Sequence, residues 1–408
     1  MKKTLYYKIL GGLGIGSAAY YPIKISNTDF YYQKTEENEK ILKLCSQHLN
    51  KYMPSLHLLP HGAFQVVWNL IAAKDRHYKI QYQRDVLTMS DGGSISVDWA
   101  YPSDEDLQDQ KETKICMIFP GLSGDSNIGY VKCLVKHLTQ EKGYIVGIFH
   151  NRGIDTEYTS PHFADISSSE EMDVALKHMI KKFSDKPNPR YVGVGMSMGA
   201  NLMLKIAGEQ EDRFPLEAMV SLNNPFDIWL AINLMRGKPY EKFLAIELRK
   251  NTLIKEGVSD KEREIFKEMQ QKYNLDYERL KTVDSWRDFD AHFTLKVHPQ
   301  FKSVAQYYYA ASCFNVIQGI KKPTLVIHSK DDPIIPIECL PLEDCIANEK
   351  LIMGIVRKGG HVCYFQGFKG QKRWYPQVSS EYLEAVLSLK NESQHESQGL
   401  SFNRRVAI

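Results

Sequence analysis

This chain of 408 residues has little net charge: 52 Lys and Arg oppose 49 Asp and Glu, leaving +3. No dense Lys/Arg block is present either, so the electrostatic footprint of a nucleic-acid partner is missing and none is expected. Cysteines are few. The seven are scattered, odd in number and without a C-x-x-C pair. That excludes a disulfide framework or zinc ribbon and favours a reducing compartment for the folded domain. Cys116 falls in an apolar run, where it acts as a small hydrophobe. No set of His, Cys and carboxylates has metal-ligand spacing, so neither metal nor cofactor is expected. A dinucleotide fingerprint is also lacking: Gly193 and Gly195 begin G-x-G, but Met198 stands where the third glycine belongs.

Long hydrophobic runs are absent except near the start. Met1-Lys2-Lys3 precedes a stretch that is apolar from Ile9 to Ile23, with Lys8 able to snorkel and Gly12 and Gly16 on one helical face. It is shorter than the roughly 20 residues that span a bilayer comfortably. Residues 1–25 are read as a signal anchor giving a membrane-associated, endomembrane protein. A cleaved signal peptide or a plain exposed helix of a soluble protein are the alternatives.

What is present is ordinary for a globular protein, 43% hydrophobic and 25% charged residues. The length suits one large α/β domain with insertions, or two domains. Residues from about 35 to 85 look helical. Arg84 to Trp99 reads as a β-hairpin around Asp91-Gly92-Gly93. Buried-type strands follow at Lys114–Phe119, Tyr144–Phe149, Tyr191–Val194, Ala218–Leu222, Thr324–His328 and Leu351–Val356. Helices at Val131–Gln140 and Ser169–Phe183 separate the first of them. This alternation implies a mostly parallel sheet covered on both faces, in a domain spanning 35–390. Residues 226–300 break the rhythm as a charged helical cap. Its capping box is Ser259-Asp-Lys-Glu262, and its stripe Ile265, Phe266, Met269 and Tyr273 is read as packing against the sheet domain, with a substrate lid as the sharper alternative. The tail, 391–408, is polar and expected to be disordered; Asn391-Glu-Ser393 matches a glycosylation sequon.

The richest signal is Gly195-Met-Ser-Met-Gly199, between an apolar strand and a helix former. A strand turning sharply through G-x-S-x-G lifts the serine to the sheet's end and aims helix N–H groups at it, so Ser197 is read as a nucleophile. A serine needs a base, and the base a carboxylate, in the chain order Ser, Asp/Glu, His. Asp332, in His328-Ser-Lys-Asp-Asp-Pro333, is the preferred carboxylate and Asp331 its rival. His361, preceded by Gly359-Gly360 after a strand, is the base. Oxyanion donors are expected from the N–H groups of Met198 and of Leu122 in Pro120-Gly-Leu-Ser-Gly124.

With these residues in place the chain resembles the α/β-hydrolase-domain (ABHD) lipases and esterases, membrane-anchored branch, and the bacterial YheT-type esterases. The likeness covers about residues 50–370. Besides the stretches above, it rests on Asp98-Trp99, Asn151-Arg-Gly153, Asn201, Arg287-Asp-Phe-Asp290, Tyr307-Tyr308, Ala311-Ser312 and Asp331-Asp-Pro333. Pro120 departs from the His common in bacterial relatives. The resemblance implies an eight-stranded, mostly parallel sheet with a helical cap, a triad of Ser197, Asp332 and His361, and hydrolysis of lipid acyl esters (monoacylglycerols, phospholipids or medium-chain esters). It also implies an N-terminal membrane segment. Two rivals stand beside the hydrolase: an alcohol O-acyltransferase using the same triad, and a non-catalytic lipid-binding relative. His150-Asn-Arg-Gly-Ile-Asp155 fits an H-x-x-x-x-D acyltransferase pattern, but packing around Arg152 explains it.

Overall fold

Continuous apolar runs, not alternating ones, supply the strands at the centre of the fold, as a sheet covered on both faces requires. The computed structural model describes residues 28–55, 62–71, 73, 75–103, 111–252, 258–367 and 369–406. The strands of its main sheet are β1 (Asp29–Tyr32), β2 (Gln83–Thr88), β3 (Ser94–Ala100), β4 (Thr113–Phe119), β5 (Ile145–His150), β6 (Pro189–Met196), β7 (Ala218–Leu222), β8 (Thr324–Ser329) and β9 (Leu351–Val356). They form one sheet in the order β1-β9-β8-β7-β6-β4-β5-β3-β2. β4 to β9 pair in parallel, while β1 lies antiparallel on β9 and the β2–β3 hairpin closes the other edge antiparallel to β5.

The sheet therefore has nine strands rather than the eight expected. The extra one, β1, is four residues at an edge, too short to carry a periodicity. Its place is set by a distant partner: Phe30 stands opposite Gly354, where a side chain would press on it.

Alternate residues of each strand serve opposite cores. Cys116 and Ile118 pack beneath the Gly129–Gln140 helix and the C-terminal helix. Ile115, Met117 and Phe119 pack beneath the helices Glu170–Lys182 and Met198–Gln210.

Between β7 and β8 the chain leaves the sheet through the helices Ile228–Met235, Pro239–Thr252, Asp260–Tyr273 and Tyr277–Thr282, a helical stretch from Trp286 to Val297, and the helix Val304–Ala311. Ser259 caps the third of these by accepting from the Glu262 N–H at 3.2 Å. The stripe on that helix packs against the sheet domain as expected, through the loop after β5 and not the strands themselves. Ile265 and Met269 join Tyr158 and Phe163 from the loop after β5, and Phe289 and Phe293 from within the cap. The Glu262 carboxylate accepts from the Tyr158 N–H at 3.1 Å and ties the same two parts together.

The last helix runs Tyr375–Val406, so the tail expected to be disordered continues its backbone. Extending a docked helix avoids the cost of a new nucleus, which offsets the polar composition. Asn391 is engaged by Arg190 and Glu112. The expected anchor, 1–25, lies outside the described residues, among which no helix is long and apolar enough to cross a membrane.

Candidate active site

β6 ends at Met196, and the next residue breaks the backbone rules: Ser197 sits at φ 53°, ψ −122°. Such a conformation costs on the order of 1–3 kcal/mol and survives only where its surroundings impose it. Here they do. The Ser197 N–H donates to the Leu222 carbonyl of β7 at 2.8 Å. A Cβ on Gly195 would lie 2.5 Å from the Ala200 Cα, and one on Gly199 2.1 Å from the Pro120 oxygen. Glycine at both positions is what lets the turn close. One turn into the helix, the Asn201 side chain donates to Ala311 O at 2.7 Å and accepts from Cys313 N at 2.9 Å, pinning the helix to the end of the cap.

His361 Nε2 lies 2.9 Å from Ser197 Oγ, and its Nδ1 lies 2.8 Å from Asp332 Oδ2. Ser197, His361 and Asp332 follow β6, β9 and β8, whose C-terminal ends lie together at one end of the parallel strands. Asp332's side chain is fully shielded from solvent. Its Oδ1 accepts from the Ile334 and Ile335 N–H groups at 2.8 and 2.9 Å. Burial would raise its pKa, but the attraction and hydrogen bond of His361, with help from His328 and the Ile335 N–H, outweigh it. The net shift is downward, which keeps the carboxylate charged.

Between the two rival carboxylates the geometry chooses Asp332. Asp331 instead accepts from the Gly359 and Gly360 N–H groups at 2.8 and 3.1 Å. It holds the loop that carries His361. Gly360 is needed there because φ is +60°.

A residue not singled out from the sequence joins these parts. Asn223, fully buried just after β7, donates to Asp332 Oδ2 at 2.7 Å and to Gly360 O at 3.2 Å, and accepts from Val362 N at 3.1 Å. The available signal was Asn223-Asn224-Pro225, a polar pair where an apolar strand ends.

The loop after β4 comes directly against Ser197: a Cβ on Gly121 would lie 3.1 Å from the Ser197 Cβ. Gly121, Leu122, Ser197, Met198 and His361 share the wall of a cavity of about 390 Å³. Its remaining wall is largely apolar, with Ile232, Met235 and Trp286 from the cap and Val66 and Leu70 from the helix Gly62–Ile71. Gly121, Leu122, Met198 and Trp286 also border a second cavity of about 120 Å³, which reaches Tyr158, Phe163 and Asp290.

The other motif residues brace this arrangement. Arg152 binds Asp91 at 2.6 Å and Glu171 at 2.9 Å, tying the β2–β3 turn to the loop after β5. Tyr308 donates to Asp290 at 2.5 Å inside the cap. His150 is sealed in the interior, as the structural reading of H-x-x-x-x-D requires. Asp98, His150 and Asp155 are the one grouping among the described residues with metal-ligand closeness. The Arg84 guanidinium already supplies the cation there, bonded to Asp98 at 2.7 Å and to Asp155 at 2.5 Å.

A mostly parallel sheet with a serine on a strained strand-to-helix turn, linked through an imidazole to a buried carboxylate, defines the class of α/β hydrolases. The chain belongs to the alpha/beta hydrolase fold family, which it matches over residues 116–368. It is 26% identical over 368 residues to the monoacylglycerol lipase of Saccharomyces cerevisiae, covering 80% of this chain and 79% of that protein. Phospholipase ABHD3 of Bos taurus is 23% identical over 391 residues, 95% of this chain and 91% of its own. The embryogenesis-associated protein EMB8 of Picea glauca is 29% identical over 319 residues, 75% and 67% of the two chains. The resemblance to ABHD lipases thus holds as distant homology.

Proposed function

We propose that this protein is a serine carboxylester hydrolase acting on acyl esters of lipids, such as monoacylglycerols, phospholipids or medium-chain esters. The observation that carries the reading is the Ser197–His361–Asp332 relay opening onto a largely apolar cavity of about 390 Å³. Ser197 Oγ attacks the ester carbonyl while His361 Nε2 takes its proton, and Asp332 holds the tautomer and stabilises the imidazolium. The N–H groups of Leu122 and Met198 receive the oxyanion. His361 returns the proton to the departing alcohol. Water, activated by the same imidazole, then releases the fatty acid and regenerates the serine. These steps call for no cofactor. Two cavities meeting at Leu122 and Met198 offer separate room for the acyl chain and the alcohol portion. The lipase and phospholipase names of the relatives support a lipid ester, and the apolar stretch Ile9–Ile23 supports membrane association through residues 1–25.

Fluorophosphonate labelling of wild type beside Ser197→Ala, each folded and heat-denatured, tests the reading. Labelling of folded wild type alone is the expected result. An unlabelled folded wild type would sink it and favour the lipid-binding alternative.

A further inference from the structure

The helix Gly62–Ile71, Gly-Ala-Phe-Gln-Val-Val-Trp-Asn-Leu-Ile, contains no charged residue. It nevertheless faces solvent: Phe64, Val67, Leu70 and Ile71 are 53%, 52%, 52% and 62% exposed. Phe64, Val67 and Ile71 are spaced i, i+3, i+7, which places them along one face. Scattered exposed apolar residues are unremarked on any protein surface, but a charge-free stripe of them is a candidate interaction site. The helix also borders the candidate active site, since Val66, Asn69 and the half-exposed Leu70 line the larger cavity. Its first residue sits against the base loop, where a Cβ on Gly62 would lie 2.0 Å from Asp331 O and 3.0 Å from the Gly360 Cα. Across the same cavity Phe243, on a cap helix, is 45% exposed and lines it too. Exposed apolar side chains thus rim the cavity on two sides.

The position of β1 bears on what meets this rim. β1 is antiparallel to β9, with Asp29 opposite Ile355 and Tyr32 opposite Ile352. Asp29 therefore lies at the C-terminal end of the parallel strands, the end that carries His361 and Asp332, and its carboxylate pairs with Lys330 at 2.6 Å. Residues 1–27, with their apolar stretch Ile9–Ile23, join the folded body at that end. Glu36, after Tyr32, begins at the opposite end of the sheet.

We propose that the exposed face of the Gly62–Ile71 helix, together with Phe243, is a membrane-docking surface that holds the cavity mouth against a lipid bilayer. This deepens the lipid-esterase reading and rests on it for its purpose: the substrate passes from the bilayer into the cavity along an apolar rim, without crossing water. The contact itself is independent of turnover. An amphipathic element lying in the interface gains affinity in proportion to the apolar area it buries.

The test uses the full chain carrying Ser197→Ala, with an environment-sensitive thiol-reactive fluorophore at Phe64→Cys or, in a second protein, at Glu36→Cys. The seven native cysteines are buried or half-buried and compete weakly for the reagent, whereas Glu36 is 84% exposed. Each protein is added to dioleoylphosphatidylcholine vesicles with or without a doxyl quencher on the acyl chains. Quenching at position 64 and not at 36 is expected. No quenching at 64, equal quenching at both, or a vesicle-independent shift that grows with protein concentration would overturn the proposal, the last in favour of self-association. In the active protein, the double variant Phe64→Gln/Val67→Gln is expected to lose roughly tenfold or more on an ester carried in the same vesicles. Its rate on a soluble short-chain ester should stay within about twofold of wild type. Equal loss, or no loss, on both substrates also overturns it. A wild type inactive on both esters refutes the hydrolase reading, while the quenching experiment still decides the docking surface.

Discussion

Replacing Asn223 by glycine is the sharpest probe of how the relay is held. Asn223 sits at φ 48°, so glycine carries no backbone penalty there and the change isolates the side chain. Three hydrogen bonds disappear: 2.7 Å to the Asp332 carboxylate, 3.2 Å to Gly360 O and 3.1 Å from Val362 N. A hydrogen bond to a charged group contributes about 1.5–3 kcal/mol, and the buried Val362 N–H left unpaired costs about 1–3 kcal/mol more, so a stability loss of about 3–5 kcal/mol is expected. Only the part felt by the charged imidazolium–carboxylate pair enters the rate. At about 1.4 kcal/mol per tenfold, kcat should fall by about 10- to 100-fold, with KM changed much less. Losing a donor to its charged form also raises the Asp332 pKa, so the acid limb of the pH–rate profile should move to higher pH. Asn223→Asp should be worse than glycine, because it puts a second carboxylate where a donor stood. The assay is kcat and KM on a soluble ester across pH, beside urea denaturation. A glycine variant within about twofold in kcat, with an unmoved acid limb, would refute the argument.

Four further outcomes are expected. Gly121→Ala places a methyl 3.1 Å from the Ser197 Cβ; kcat should drop tenfold or more, at a stability cost of about 1–3 kcal/mol, measured on the same ester and by urea. Asp332→Asn should cost on the order of 10⁴ in kcat by favouring the wrong imidazole tautomer. Asp331→Ala, which loosens only the Gly359–Gly360 loop, should cost far less; equal losses would mean that the two carboxylates are misassigned. Burial, partly offset by hydrogen bonds from Thr294 and Tyr308, pushes the Asp290 carboxyl up from 3.8 to about 6. The folded protein then binds this proton more tightly than the unfolded chain, so this group's stability contribution is present at low pH and falls as pH rises through about 4 to 6, by about 3 kcal/mol. Urea denaturation at about pH 4 and pH 7 should show that change in wild type and not in Asp290→Asn.

Much of the site could be read from the chain because its requirements are local. The turn at Ser197 needs glycines within two residues on either side, and the loops bearing Asp332 and His361 each follow an apolar strand directly. Packing partners were less legible. The stripe Ile265–Tyr273 has the spacing of a buried face that meets the sheet domain, yet that spacing does not say which part of the domain it meets, here Tyr158 and Phe163 in the loop after β5.

Apolar runs and glycine-dependent turns act over a few residues, so the chain alone specified the parallel sheet, the strained turn at Ser197 and a Ser, Asp, His order with two adjacent candidate carboxylates. Folding settled what depends on residues far apart in the chain. It selected Asp332 over its neighbour, since Asn223, 109 positions earlier, meets the carboxylate that faces His361. It made Asn223 the link between β7, β8 and the base loop. It added β1 to the sheet edge, where the pairing groups of β9 and the bare Cα of Gly354 accept four residues too few to carry a periodicity of their own.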